Sequence, residues 1–254
     1  MRLESSLVMV TGASSGIGRA TAVRLAGCGS RLLLTGRDPV RLDEVAAAAG
    51  GIALPADLSD PAQARSLASR VLEVGVPDIL LHSAGIGLAR RLSGEPGDEH
   101  SADDFARLLA VNAQAPAQLS AALLPAMTQR GSGRLVFVTS IAAMLGVPDE
   151  SLYAASKAAM QVLADSLRGE LAGTGVGVTT VVPGVVDTAF FARRGRDYER
   201  RFPRPIRADR VADAIVSALR RDRNQVIVPA WLRAPIAVRA CAPEWYVRLS
   251  GRFG

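Results

Sequence analysis

At 254 residues, 49% of them apolar, the chain is long enough to bury the core of one large α/β domain or two small ones. Its two cysteines, Cys28 and Cys241, lie far apart in apolar or small-residue surroundings, which excludes a disulfide framework or zinc-ligand spacing and fits a reducing cytoplasm. The net charge of +6 comes mostly from eight arginines between Arg193 and Arg210, set against Asp197, Glu199 and Asp209; with 4% aromatic residues and no legible DNA- or RNA-binding module, nucleic acid is excluded as a partner.

Strand and helix signals alternate from the start. Met1–Ser6 carries no signal-type apolar region and runs straight into Leu7–Thr11, a short apolar run without flanking charge, as a buried parallel strand requires. Gly12–Gly18 is a glycine-rich loop leading to a helix near Arg19–Ala26, and Arg31–Thr35 is a second strand. Asp38 then reads as a helix N-cap with Pro39 at the first helical position, and Asp60-Pro61 repeats the device after a strand at Ile52–Pro55. Asp78–His82 is the fourth strand, followed by one long helix over Ala102–Thr128. The longest charge-free stretch, Leu108–Gln129, holds Asn112, Gln114, Pro116, Gln118 and Pro125, which makes a poor membrane span and a good buried helix. Strands at Arg134–Thr139, Val176–Val182 and Gln225–Val228 alternate with helices at Ser151–Leu171 and Ala208–Arg221. This alternation, without internal repeat or linker, predicts a single α/β domain. It is a doubly wound, Rossmann-type parallel sheet of about seven strands with helices on both faces, over residues 1–229, with 230–254 as a C-terminal amphipathic extension.

Tyr153 and Lys157, four apart, lie on one face of a helix. A free phenol titrates near pH ~10. A fixed ammonium nearby favours the phenolate and lowers that value, so the pair is a candidate for general acid/base work on an alcohol or carbonyl oxygen. Lys157 is the only lysine among thirty basic residues, which suggests that a compact ammonium is needed there and a forked guanidinium will not serve. The second chemical element is Thr11-Gly12-x-x-x-Gly16-x-Gly18 between a strand and a helix. Glycines there permit a tight turn and let backbone N–H groups approach a pyrophosphate at the helix N-terminus.

With Thr11–Gly18, Asp57-Leu58, His82-Ser83-Ala84-Gly85, Asn112, Ser140, Tyr153-x-x-x-Lys157 and Pro183-Gly184 in this order, the chain resembles the short-chain dehydrogenase/reductase family over about residues 5 to 229. Most of these motifs fall at or just after strand C-terminal ends, where open α/β sheets bind ligands. The resemblance implies that Tyr153 is the acid or base, that Lys157 lowers its pKa and bonds the nicotinamide ribose, and that Ser140 holds the substrate oxygen. It implies that Asn112 positions a water linking the lysine to solvent. For the cofactor it implies the loop residues Gly12, Ser14, Ser15, Gly16, Ile17 and Gly18, then Asp57 and Leu58 at the adenine. Ser83, Ala84 and Gly85 would run along the cofactor, and Pro183, Gly184, Val186 and Thr188 would cradle the nicotinamide end. His82 replaces the family's usual asparagine and reads as a hydrogen-bonded structural residue; His100 reads as a solvated loop residue. No cluster has metal-ligand spacing, so no metal is expected.

Arg37, at the end of the second strand where NAD-preferring relatives carry an acid, suits a 2′-phosphate and points to NADP(H) over NAD(H). Asp38 is the competing acid, but it reads as a cap. Ser15 occupies the loop position that is basic in many NADP-preferring relatives. The segment Asp187–Pro205 corresponds to the substrate lid of relatives. With Phe190, Phe191, Tyr198 and Phe202 among arginines, it suits an apolar ketone or an acyl chain on an acidic carrier, or it is simply a solvated basic loop. The extension carries Trp231, Leu232, Ile236, Val238, Trp245, Tyr246, Val247 and Leu249 interleaved with Arg233, Arg239 and Arg248. It reads either as an interfacial membrane segment or as a cover over the pocket or a partner subunit. Pro235 and Pro243 break any long helix and favour the cover. The readings left by the sequence are an NADP(H)-dependent ketoreductase, a non-catalytic dinucleotide sensor, and a membrane-held lipid or steroid-type alcohol dehydrogenase. The family resemblance also implies a homodimer or homotetramer built on the two long helices.

Overall fold

The computed structural model describes residues 1–92, 102–196, 198–199 and 202–250. His100, Asp197, Arg200 and Arg201 lie outside the described residues. The strands in chain order are β1 (Leu7–Thr11), β2 (Arg31–Thr35), β3 (Ile52–Ala53), β4 (Ile79–His82), β5 (Gly133–Val138), β6 (Val176–Pro183), β7 (Val186–Asp187), β8 (Ile206–Arg207) and β9 (Gln225–Val228). Seven of them form a sheet in the order β3-β2-β1-β4-β5-β6-β9, and β7 pairs with β8 apart from it. All pairings in the large sheet are parallel, for example Val8 with Leu32 and Ile79. The winding reverses between β1 and β4, which places a crevice at the carboxyl edge between them.

The strands are buried on both faces, which explains their unbroken apolar sequences. Val8, Val10, Ile79 and Val136 face one layer, packed on α1 (Gly16–Ala26), α2 (Pro39–Ala49) and, later in the chain, α9 (Ala208–Arg220). Met9, Leu33, Leu80 and Phe137 face the opposite layer, made by α3 (Pro61–Val74), α5 (Ala115–Arg130) and α7 (Ser151–Glu170). The remaining helices are α4 (Ala102–Leu109), α6 (Ile141–Leu145), α8 (Phe190–Arg193), α10 (Arg233–Cys241) and α11 (Pro243–Ser250). Asp38 and Asp60 cap α2 and α3 as expected, accepting from Arg41 N at 3.1 Å and Ala62 N at 2.8 Å.

The helix expected over Ala102–Thr128 is interrupted. Ala110–Gln114 forms a π-helical turn between α4 and α5, in which Ala115 N reaches back five residues to Ala110 O. Pro116 has no N–H to return to the Asn112 carbonyl four residues before it, so an α-helical bond is missing there. The first helix starts at Gly16, earlier than expected, because Ser15 adopts an extended N-cap conformation. β3 is shorter than predicted, although Leu54 N still donates to Leu34 O at 2.7 Å.

Candidate active site

One cavity of about 1540 Å³ runs along the carboxyl edge of the sheet. Every predicted site residue lines it except Asn112, which is fully buried behind the wall. At its floor, Gly12 has φ +68°, and a Cβ there would come within 2.7 Å of the Ala84 backbone. A Cβ on Gly18 would come within 2.3 Å of Gly12 O. Thr11 Oγ1 accepts from the backbone N–H groups of Ser83 and Ala84, both at 3.0 Å, tying the end of β1 to the loop after β4. Thr11 was not among the predicted site residues, although it stands in the glycine motif.

Ser140 ends β5 and caps α6, its hydroxyl oxygen accepting from Ala142 N at 3.1 Å. That leaves the O–H free to donate toward the cavity, which Tyr153 also lines. Burial raises the Tyr153 pKa to about 12, opposed by the nearby Ser140 hydroxyl. The lowering by Lys157 expected from the sequence is not seen: the charges acting on the phenol are Glu150, which raises its pKa, and Arg194, which lowers it. Desolvation outweighs both. Lys157 Nζ donates to Val138 O at 3.1 Å, and burial pulls its pKa down to about 8.

Asn112 is held by three side-chain hydrogen bonds. Its amide Nδ2 donates to Ile86 O and Ser156 Oγ, both at 2.9 Å, while Oδ1 accepts from Ile86 N at 2.9 Å. It braces the loop after β4 from its place, buried, in the π turn. A Cβ on Gly85 would meet Lys157 Nζ at 3.1 Å and Asn112 Oδ1 at 3.3 Å, so the brace and the lysine share one wall. His82 is structural, as expected: Nε2 bonds Ser120 Oγ at 3.0 Å and the ring stacks on Phe137 at 4.8 Å.

At the other end of the cavity, Asp57 Oδ1 accepts from Ser59 N at 2.9 Å and Ser59 Oγ at 2.7 Å. Burial pushes its pKa up, but these bonds, with Arg37 and Arg107 nearby, bring it below the usual carboxylate value. Leu58 is buried beside it. The side wall is the segment after Pro183. The Phe190 ring lies tilted at 5.4 Å from Tyr153, and the Phe191 ring tilted at 5.3 Å from Tyr198. Sequence reasoning missed Arg194 and Glu150, which form a buried ion pair with the Arg194 guanidinium 4.5 Å over the Phe191 ring. Asp149 pairs with Arg196 at 3.2 Å and with Arg91 at 2.8 Å. Nothing in a run of eight arginines marks which of them turns inward.

The C-terminal segment covers the cavity rim. A Cβ on Gly184 would come within 2.8 Å of the buried Leu232, Arg239 Nη1 donates to Met144 O at 2.5 Å, and Trp231, Val238, Tyr246 and Val247 line the mouth. Of the described residues, no helix is long and apolar enough to cross a membrane.

The residues present fit a dinucleotide. Gly12 and Gly18 leave no room for side chains, the N-terminus of α1 faces the cavity without an acid in its first turn, and Arg37 and Asp57 stand at the far end. A short-chain dehydrogenase model matches residues 6–199. The probable oxidoreductase EphD of Mycobacterium tuberculosis is 38% identical over 95% of this chain, but the chain spans only 42% of that relative's length. A Sphingobium yanoikuyae short-chain dehydrogenase solved with NADPH is 32% identical, with TM-score 0.82 over 96% of this chain and 94% of that one. A Burkholderia phymatum short-chain dehydrogenase/reductase solved with NAD is 27% identical, with TM-score 0.85 over 96% of each chain. Sheet order, glycine floor, the Ser140–Tyr153–Lys157 group and these likenesses agree: the chain belongs to the short-chain dehydrogenase/reductase family of NAD(P)-dependent oxidoreductases.

Proposed function

We propose that the protein is an NADP(H)-dependent reductase of a bulky, apolar ketone or ketoacyl group. The observation that carries this reading is the meeting of Ser140, Tyr153 and Lys157 in the cavity that also holds the glycine loop. The nicotinamide cofactor supplies the hydride when bound. The Tyr153 phenol is protonated at neutral pH, and burial raises its pKa further, so its proton is present to be given to the carbonyl oxygen as that oxygen gains charge. The Ser140 hydroxyl donates to the same oxygen. Lys157, buried and anchored to Val138 O in the same cavity, carries its positive charge below about pH 8.

The substrate class follows from how the lid's charges are spent. Arg194 and Arg196 are paired with Glu150 and Asp149, leaving Phe190, Phe191, Trp231, Leu232 and Val238 as the apolar lining of the substrate end. This supports a neutral apolar ketone over a group on an acidic carrier. The NADP(H) preference rests on Arg37, which lines the cavity, and on Asp38, whose carboxylate is engaged by Arg41 and its backbone N–H.

Tyr153→Phe should lower kcat for ketone reduction by roughly 10²–10⁴-fold, with cofactor still binding in a fluorescence titration. Retention of most activity sinks the assignment. Arg37→Ala should weaken NADPH binding by on the order of 1.5–3 kcal/mol and leave NADH nearly unchanged; equal losses for both would remove Arg37 from 2′-phosphate recognition.

A further inference from the structure

Two consecutive arginines at the end of α8 point to opposite halves of the site. Arg194 turns inward to Glu150, and its carbonyl accepts from Ala89 N at 3.0 Å. Arg193 turns the other way, and its Nη1 donates to Ser15 Oγ at 3.4 Å across 178 residues of sequence. Ser15 is the N-cap of α1, and its side chain makes no cap bond to that helix. Where α8's segment begins, Thr188 also touches the glycine loop: a Cβ on Gly16 would lie 3.3 Å from Thr188 Cγ2.

The electrostatics of this contact call for a third party. The N-terminus of an eleven-residue helix carries partial positive charge from its unpaired N–H groups. α1 has no acidic residue in its first turn, and among the described residues Arg193 makes no ion pair. A guanidinium beside a helix N-terminus repels it unless an anion lies between them. Both groups line the same cavity.

We propose that Arg193 is a cofactor-phosphate ligand carried on the substrate lid, clasping the dinucleotide's pyrophosphate against the N-terminus of α1. The pyrophosphate is the phosphate in question because the contact sits at the helix N-terminus, whereas Arg37 stands at the end of β2. The neighbouring Glu150–Arg194 pair fixes the lid backbone, so cofactor binding and lid closure over the substrate end become one event. This inference rests on dinucleotide binding at the glycine loop but not on a preference for NADP(H).

The test is titration of the intact protein with NADH, NADPH and 2′-AMP, followed by intrinsic fluorescence, for the wild type, Arg193→Ala and Arg193→Lys. Arg193→Ala should weaken NADH and NADPH alike, about tenfold, as for a lost charged hydrogen bond. 2′-AMP, which has no pyrophosphate, should bind unchanged, and Arg193→Lys should recover part of the loss. Amide hydrogen exchange over residues 188–194 should slow on adding NADH to the wild type and not in Arg193→Ala. Unchanged dinucleotide affinity in Arg193→Ala overturns the proposal. A loss confined to NADPH and 2′-AMP overturns the pyrophosphate assignment and gives Arg193 to the 2′-phosphate. A wild type that binds neither dinucleotide overturns the cofactor reading beneath it.

Discussion

Burial sets the protonation of three side chains around the site. It raises Tyr153 to about 12 and lowers Lys157 to about 8 and His82 to about 3. For His82 the consequence is a stability that depends on acid. Its folded pKa lies below the ordinary 6.5, so between pH 6.5 and about 3 the unfolded chain binds the proton that the folded chain refuses. Stability should therefore fall as pH drops through that window. His82→Asn, which places there the residue usual in relatives, should fall less steeply. The measurement is the urea midpoint at several pH values for both proteins; parallel curves would show that His82 is not buried neutral. The lysine argument was partly legible in the sequence. The chain keeps one lysine at Lys157, but whether its charge or the desolvation of Tyr153 dominates depends on what surrounds the phenol, which sequence spacing does not state.

The element most open to test is the lid, from β7 through α8 to β8. Glu150, at the start of α7, holds it through Arg194, whose side chain is 7% exposed against 16% for Glu150. Removing one partner of a buried pair leaves the other uncompensated, at a cost of up to about 3 kcal/mol. Glu150→Gln should thus loosen the lid: faster amide exchange over 188–196 and a higher KM for ketone. Unaltered exchange would mean that Phe190 and Phe191 alone hold the lid. The π turn at Ala110–Gln114 was also within reach of the sequence, since Pro116 four residues after Asn112 removes the N–H that an α-helical bond there would need.

At the scale of the whole molecule, large apolar side chains remain uncovered. Phe202, Trp245, Val247 and Val162 are 63–70% exposed, although the C-terminal aromatics were expected to be covered by protein. On α7, Ala155, Ala159, Val162 and Ser166 form an exposed face of small side chains, three or four residues apart, which suits close approach of a second helix. We expect a homo-oligomer through this face. Light scattering at micromolar concentration should give at least a dimer, and Val162→Glu should give a monomer with the same far-UV circular dichroism. A monomeric wild type would defeat this reading.

The sequence by itself determined the doubly wound sheet, the two aspartate caps and the glycine loop at the carboxyl edge, while the other residues along that edge came from the family resemblance. The first three follow from local signals: apolar runs that bury both faces of a strand, Asp-Pro at helix starts, and glycines where a side chain cannot fit. Tertiary structure alone decided which arginines of the 193–210 run turn inward, that Asn112 braces Ile86, and that Leu232 closes on Gly184. Each of these depends on partners 26 to 178 residues away in the chain, brought together only by the folded edge of the sheet. A guanidinium's position is set by the carboxylate, ring or helix end it meets there, and no spacing along the chain encodes that meeting.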